Sequence, residues 1–165
     1  MSSALNHKSL FLYDHTVYWP AKYDRVVEFL KNGTGEKNNP KSLYKLNVEV
    51  IVLAACVGVI NDHPVDEMPS ERREIALSTF NEHQLGIYIY LIPLLSDEKN
   101  NIELMRNKQG EDLSVSIFQR YVAGGLEILN DRLSSCGHDS PYLFIHDIVF
   151  SEGKKVIDLP LEISF

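Results

Sequence analysis

The chain has 165 residues, of which 44% are apolar and 24% charged, and its formal net charge is −7. This length and composition are typical of one globular domain over residues 1–165 and exclude a chain that is disordered throughout. The longest apolar runs, residues 48–60 and 85–95, fall short of the roughly 20 residues that cross a bilayer, so we expect no membrane contact. Negative net charge also argues against a protein that coats nucleic acid, because neutralising phosphates requires surplus Lys and Arg.

The N-terminal part of the sequence predicts an arm followed by a first helix. Residues 1–15 are predicted to form a loose arm, and the aromatic and β-branched residues in 9–19 predict a short strand or an extended segment. Pro20 suits the first turn of a helix, and the apolar positions that follow share one helical face as far as Asn32. Residues 33–42, with two glycines and a proline, predict a loop.

Two apolar segments in the middle of the chain predict buried helices. Residues 48–59 are apolar at almost every position, which is typical of a helix at the centre of a domain, with Asn47 as its N-cap; a buried strand is the alternative. A loop over 61–74 and a short extended stretch within 75–80 follow. Residues 85–95 predict the second apolar helix, which Pro93 should kink or end. A further short helix is predicted around residues 102–105.

The longest helical pattern covers residues 111–133, where apolar residues recur at steps of three and four. Gly124 and Gly125 lie inside it, and such a pair requires either a helix break or a close backbone contact. The alternation in residues 142–150 and 156–165 predicts two strands joined by a loop over 151–155. We therefore predict a mainly α fold of the α+β class, a compact domain of about four helices with a C-terminal β-hairpin extension over 134–165.

The sequence holds few residues in catalytic or metal-binding patterns. It has no glycine-rich phosphate loop, and its two distant cysteines form no disulfide framework. With no secretion signal at the N-terminus, these cysteines predict a cytoplasmic protein. Asp147, Glu152 and Lys154 are similar to the D…ExK pattern of metal-dependent nucleases, but a solvated turn is the favoured interpretation. We therefore expect no enzyme activity, no catalytic residues, no metal site and no cofactor.

Charge is distributed unevenly along the chain. Residues 1–46 carry 7 Lys and Arg against 4 Asp and Glu, a net charge of +3, whereas residues 47–165 carry −10. The favoured interpretation is a solvated surface, and the alternative is a basic N-terminal face that contacts an acidic partner or DNA. The basic residues that would contact DNA in that case are Lys22, Arg25, Lys31, Lys41 and Lys45.

One string in the longest predicted helix resembles a known family. Residues 118–129 read FQRYVAGGLEIL. They are similar to the F-x-x-Y-x-x-G-G-L-E-I-L signature of the dnd system-associated protein 4 family, small proteins encoded beside bacterial DNA phosphorothioation systems. The order of predicted elements agrees over about residues 16–133, whereas the predicted hairpin lies outside the resemblance. The motif residues are Phe118, Tyr121, Gly124, Gly125, Leu126 and Glu127.

The resemblance implies an accessory protein in a phage-defence or DNA-modification neighbourhood, without a recognised catalytic motif. The motif residues also have a structural explanation, because Gly-Gly permits close backbone approach while Tyr and Leu fill the space around it. We favour a non-catalytic adaptor that binds larger proteins of such a system. A DNA-binding regulator of the same gene neighbourhood and a metal-dependent nuclease are the alternatives. DNA is not expected to be the main partner, and the apolar segments are compatible with a homodimer.

Overall fold

The computed structural model describes residues 10–32, 43–96, 107–136 and 140–156, without the side chains of 136 and 151–156. The described elements are a two-stranded sheet and six helices, which confirms the prediction of a mainly helical fold. The predicted number of about four helices is too low, because residues 77–82 and 141–156 are also helical. In chain order they are β1 Thr16–Pro20, a 3-10 turn Ala21–Tyr23, α1 Asp24–Asn32, α2 Asn47–Ile60, β2 Arg72–Ala76, α3 Leu77–Glu82, α4 Tyr88–Leu95, α5 Lys108–Cys136 and α6 Pro141–Val156.

The sheet joins the N-terminal part of the chain to the segment that follows α2. Strands β1 and β2 are antiparallel, with Val17 opposite Ile75 and Trp19 opposite Arg73. The extended segment predicted within 9–19 is thus confirmed at its C-terminal half. Pro20 ends β1 and precedes the 3-10 turn and α1. The extended stretch predicted within 75–80 is wrong after residue 76, since Leu77 begins α3.

Helix α2 lies at the centre of the core, as its continuous apolar character predicts. Its valines, Ile51 and both alanines are almost all buried. The predicted N-cap is displaced by one residue: Leu46 is the N-cap and Asn47 is the first helical residue. The Glu49 carboxylate accepts hydrogen bonds from the backbone N–H groups of Lys45 (2.8 Å) and Leu46 (3.0 Å), and it thereby holds the start of the helix.

Helix α5 is the long element against which the others pack. Its 29 residues extend for about 43 Å at the usual helical rise. Helices α1, α2 and α4 and strand β1 all pack on it. The predicted helix 111–133 is confirmed, and Gly124 and Gly125 do not break it. The predicted helix 85–95 is also present, as the shorter α4, which contains Pro93 and ends two residues after it.

The predicted C-terminal hairpin is wrong, because residues 141–156 form the single helix α6. Pro141 stands at the first helical position, where its missing N–H costs nothing. Phe144 and Ile148, four residues apart, are buried, and the Phe144 ring meets that of Phe29 edge to face at 5.8 Å. Residues 151–155, predicted as the hairpin loop, continue this helix. The second predicted strand, after residue 156, lies outside the described residues.

The described part of the predicted N-terminal arm contacts the domain. Phe11 is buried, and its ring lies 5.6 Å from that of Tyr90 on α4. Residues 1–9, the predicted loop 33–42 and the predicted short helix at 102–105 lie outside the described residues. Within the described residues, no helix combines the length and apolar character needed to cross a lipid bilayer.

Candidate functional site

The motif residues of α5 lie mostly inside the core. Phe118, Tyr121 and Leu126 are almost completely buried, and the Phe118 ring packs edge to face on Phe80 of α3 at 5.8 Å. Glu127 is the motif residue that reaches solvent, with a side chain that is 39% exposed. The apolar part of the motif therefore holds the helices together, as the structural explanation of the sequence predicts.

The motif glycines allow two backbones to touch α5. A Cβ atom on Gly125 would lie 1.7 Å from the carbonyl oxygen of Ala54 in α2, and one on Gly124 would lie 1.6 Å from that of His63. On the opposite helix, a Cβ on Gly58 would lie 2.1 Å from the Tyr121 carbonyl oxygen. Distances this short exclude any side chain. The glycines are thus explained by close packing of α2 and of the segment after it.

Residues 61–66, which we call the docked loop, are held on the motif stretch of α5. The Val65 backbone N–H donates to the Arg120 carbonyl oxygen at 3.0 Å. His63 Nε2 lies 3.0 Å from Glu127 Oε2, and the Arg120 guanidinium binds the Asp66 carboxylate. No local pattern predicts these contacts, because the partners are more than 50 residues apart in the sequence. The polar motif residue Glu127 therefore has a structural contact of its own.

Glu111, at the start of α5, is a buried carboxylate that the sequence did not single out from its neighbours. It is 1% exposed and accepts hydrogen bonds from the backbone N–H groups of Leu12 (2.6 Å) and Tyr13 (3.1 Å). The Tyr90 hydroxyl donates to it at 3.2 Å. His15 Nε2 lies 3.3 Å away, close enough for a charge contact but not aligned as a hydrogen bond. Glu111 thus connects residues 12–15 to α4 and α5.

The contacts of Glu111 change the acidity of its tyrosine partner. The pKa of Tyr90 is raised above its ordinary value, first by burial and then by the nearby Glu111 carboxylate. Removing the phenol proton would place two negative charges together in a partly buried place, so the neutral form is favoured. The cluster acts as a structural clamp with its proton retained.

The candidate DNA-contacting residues lie in two places. Lys22 and Arg25 are exposed on the 3-10 turn and α1, while Lys31 at the end of α1 lies 3.4 Å from Glu28. Lys45 precedes α2, and Lys41 lies outside the described residues. Lys22 lies 4.7 Å from the Tyr23 ring centre, and its pKa is raised, first by a hydrogen bond with that tyrosine. Acidic residues of α1 alternate with these bases, so the surface is of mixed charge.

The nuclease-like string falls on α6 and not in a turn. Asp147 is exposed there, with a side chain that is 60% accessible, and 152 and 154 follow on the same helix. Helical geometry separates positions 147 and 152 by roughly 140° around the axis. Within the residues that the structure describes, no three His, Cys, Asp or Glu side chains are grouped so that they could hold a metal ion.

A cleft of about 620 Å³ lies between the sheet and the first helix. Three consecutive residues of β2, from Arg72 to Glu74, form one side, and residues of α1 form the other. Arg73 donates to Asp24 Oδ2 from Nε (2.8 Å) and Nη2 (2.5 Å), and the Arg72 guanidinium lies 4.1 Å from the centre of the Tyr18 ring. The complete lining is Trp19, Asp24, Val27, Glu28, Asn47, Arg72, Arg73 and Glu74.

Two buried polar atoms in the lining residues lack a hydrogen-bond partner within the described part of the chain. They are Nε1 of Trp19, a donor, and Oδ1 of Asn47, an acceptor. Trp19 is only 3% exposed, and it is the single tryptophan of the chain. A buried polar group without a partner costs about 1–3 kcal/mol. Both atoms have almost no accessible surface, so a molecule in the cleft would become their partner only after the two side chains shift.

Two helices carry apolar side chains on their solvent-facing sides. On α4 and the residue before it, Ile87, Leu91, Leu94 and Leu95 are 38–61% exposed and follow helical spacing; we call them the α4 stripe. On α6, Tyr142, His146 and Phe150 follow one another at steps of four, with 4.3 Å between the last two ring centres. Contiguous exposed apolar groups are typical of surfaces that bind another molecule.

Comparison with known families identifies the class of this helical domain. The family model of DNA sulphur modification system-associated protein 4 matches residues 18–155. The chain belongs to this family, so the resemblance stated from the α5 motif is confirmed. The match includes α6, whereas the sequence resemblance ended near residue 133 and treated the C-terminal region as an extension. The searches of curated proteins and of solved structures returned no match.

Proposed function

We propose that this protein is a non-catalytic accessory protein of a DNA sulphur modification system, which works in the cytoplasm by binding a larger protein of that system. Family membership supports the association with the system. The α4 stripe is the observation that carries the binding role. Helix α4, with the sequence YIYLIPLL, contains no charged residue, and its outward apolar side chains match an apolar protein surface better than phosphates.

Co-purification tests this proposal. The tagged protein is co-expressed with the proteins encoded in the same gene cluster, and the bound proteins are identified by mass spectrometry. We expect one larger protein of the system to co-purify. The double variant Leu91→Asp/Leu95→Asp should lose it, because burying a charge at an apolar interface is strongly unfavourable. Ile60→Asp, which changes a 69% exposed residue at the end of α2, is the matched control and should retain it.

Three results would contradict the proposal. The first is that no protein of the cluster co-purifies. The second is a dimer of this chain that the stripe variant converts to monomer in the absence of any other partner. The third is cleavage of plasmid DNA by the purified protein with Mg²⁺ or Mn²⁺, because a non-catalytic protein leaves the plasmid intact.

A further inference from the structure

The outer edge of β2 has backbone groups that find no partner among the described residues. The Tyr18 backbone N–H donates to Gln119 Oε1 of α5 at 2.6 Å, so this N–H faces away from β2. Tyr18 and its partner Glu74 are therefore a non-hydrogen-bonded pair of the antiparallel sheet. Bonded and non-bonded pairs alternate along an antiparallel sheet. Two backbone bonds beyond the strand ends fit this alternation: Leu77 N–H donates to the His15 carbonyl oxygen (2.9 Å), and Ala21 N–H donates to that of Glu71 (3.2 Å). The backbone groups of β2 that point outward are consequently those of Arg72 and Glu74, together with the N–H of Ala76.

The two edges of the small sheet therefore differ. Gln119 and α5 cover the edge of β1, whereas β2 is exposed at four of its five residues. Within the described residues, no further element pairs with the N–H or carbonyl groups of Arg72 and Glu74. An exposed strand edge of this kind is a template for an added strand.

The cleft runs along this same edge. Successive side chains of a strand point to opposite faces of the sheet. A cleft lined by three consecutive residues of β2, 72–74, must therefore reach the strand edge and not only one face. Trp19 and Asn47, whose buried polar atoms have no partner in the described part of the chain, line the same cleft. Free backbone groups and unpartnered side-chain atoms thus occur together.

The charges of the cleft favour a neutral polar ligand. Arg73 is already bound to Asp24, and Glu28 accepts from Asn32 at 2.6 Å. The lining as a whole holds three carboxylates against two guanidinium groups. A polyanion such as single-stranded DNA would face those carboxylates, whereas a peptide backbone is uncharged and supplies one donor and one acceptor at every residue.

We propose that the edge of β2 and the adjacent cleft bind an extended peptide segment of a partner protein, which adds as a third strand beside Arg72–Ala76 and places an uncharged polar side chain in the cleft against Trp19 and Asn47. This inference rests on the proposed function, since it names the kind of segment by which a partner is recognised. The backbone supplies the affinity and the cleft supplies the specificity.

The test uses a synthetic peptide array of overlapping 12-residue segments from the other proteins encoded in the gene cluster. Peptides that bind are then titrated against the full-length protein. Binding is followed by the emission of Trp19 and by hydrogen-exchange protection of the Arg72 and Glu74 amides. We expect slower exchange of both amides, because the added strand would bond them, and a change in Trp19 emission, because the bound side chain would alter the polarity around the buried indole.

Two substitutions at one position separate the backbone from the side chain. Glu74→Pro removes the outward N–H while leaving the bonds to β1, and proline is tolerated on edge strands. It should weaken peptide binding by about tenfold, the equivalent of one hydrogen bond of 1.4 kcal/mol. Glu74→Ala removes the same side chain but retains the N–H, so folded Glu74→Pro should bind about tenfold more weakly than Glu74→Ala. Asn47→Ala keeps the edge intact and should weaken only peptides with a polar side chain at the cleft position. Thermal unfolding verifies that each variant is folded.

The outcomes distinguish this inference from the proposed function. If a protein of the cluster co-purifies but no peptide protects Arg72 and Glu74, or if folded Glu74→Pro binds as well as Glu74→Ala, the strand-addition inference is overturned and the adaptor role stands. Protection confined to α4 would likewise overturn it. If no protein of the cluster co-purifies at all, the proposed function itself fails.

Discussion

At the scale of single residues, glycine and one buried carboxylate determine how the elements of this domain meet. Gly58 and Gly125 let the backbones of α2 and α5 touch, and Gly124 admits the docked loop. Glu111 performs a different task, because it supplies the acceptors for two backbone N–H groups of the segment before β1. Neither feature adds apolar area, and both restrict which arrangement of the elements is allowed.

Gly125→Ala should destabilise the domain by about 1–3 kcal/mol or more, because its Cβ would overlap the Ala54 carbonyl oxygen. The free energy of unfolding is measured by urea titration. Ser116, exposed on the same helix, provides the comparison: there the Ala variant should be more stable than the Gly variant by about 1 kcal/mol. If the Ala variant were more stable than the Gly variant at position 125 as well as at position 116, the close contact would be absent.

Glu111→Gln should also lower the free energy of unfolding, by about 1–3 kcal/mol, because its amide NH₂ would face a backbone N–H that has lost its acceptor. Hydrogen exchange at the Leu12 and Tyr13 amides should become faster. Asp131→Asn, at an exposed position of the same helix, is the control and should change neither quantity. Unchanged exchange at residues 12 and 13 in Glu111→Gln would contradict the clamp.

Only some of these residues could be predicted from the sequence. The Gly124–Gly125 pair inside a helical pattern pointed to a close contact, because such a pair is costly in a helix without one. Glu111 resembled an ordinary acidic residue of a helix start, and its buried position depends on where residues 12–15 return to α5. Likewise, the cleft is formed by residues from 19 to 74, and no local spacing indicates that they meet.

At the scale of elements, local pattern predicted the long helices well and the C-terminal region poorly. The apolar residues of α5 recur at helical spacing, whereas α2 is apolar at almost every position and its length favours a helix over the alternative of a buried strand. Residues 142–150 are mostly aromatic and aliphatic, and such a segment also satisfies a helix whose buried face is only Phe144 and Ile148. The contact of Phe144 with Phe29 favours the helix over the strand. A short apolar segment does not reveal such a tertiary contact.

The helix and the hairpin make different predictions for Phe150. In a strand it would share a face with Phe144 and Ile148, whereas in α6 it is 62% exposed and they are buried. Phe144→Ala should destabilise the domain by about 3–5 kcal/mol, and Phe150→Ala should change stability by less than about 0.5 kcal/mol. Similar large losses for both variants in urea unfolding would favour the strand.

At the scale of the whole molecule, the uneven charge of the chain is moderated by its folding. The bases of α1 stand beside Asp24 and Glu28, and Arg73 of β2 pairs with Asp24. The described part of the N-terminal segment therefore presents a mixed surface. This mixed surface favours a protein partner over DNA. The pH dependence of stability is therefore expected to come from particular clusters and not from the overall charge.

Stability should fall at alkaline pH, in part through Tyr90. Its pKa is raised by burial and by Glu111, so the folded state holds the phenol proton more tightly than the unfolded state. This contribution is complete below the unfolded pKa of about 10 and is lost as pH rises from there toward the folded pKa. Tyr90→Phe should flatten the decline in urea-unfolding free energy above about pH 10. An unchanged decline in folded Tyr90→Phe would contradict this contribution.

The backbone contact between α2 and α5 also limits how the protein can respond to a partner. A slide of one helical turn would carry Gly125 away from Ala54 and bring a residue with a Cβ into its place, which the 1.7 Å separation forbids. The helix pair thus has one permitted register and behaves as a rigid frame. Adjustment on binding is therefore expected in the elements that pack around this pair, namely the sheet, α4 and α6.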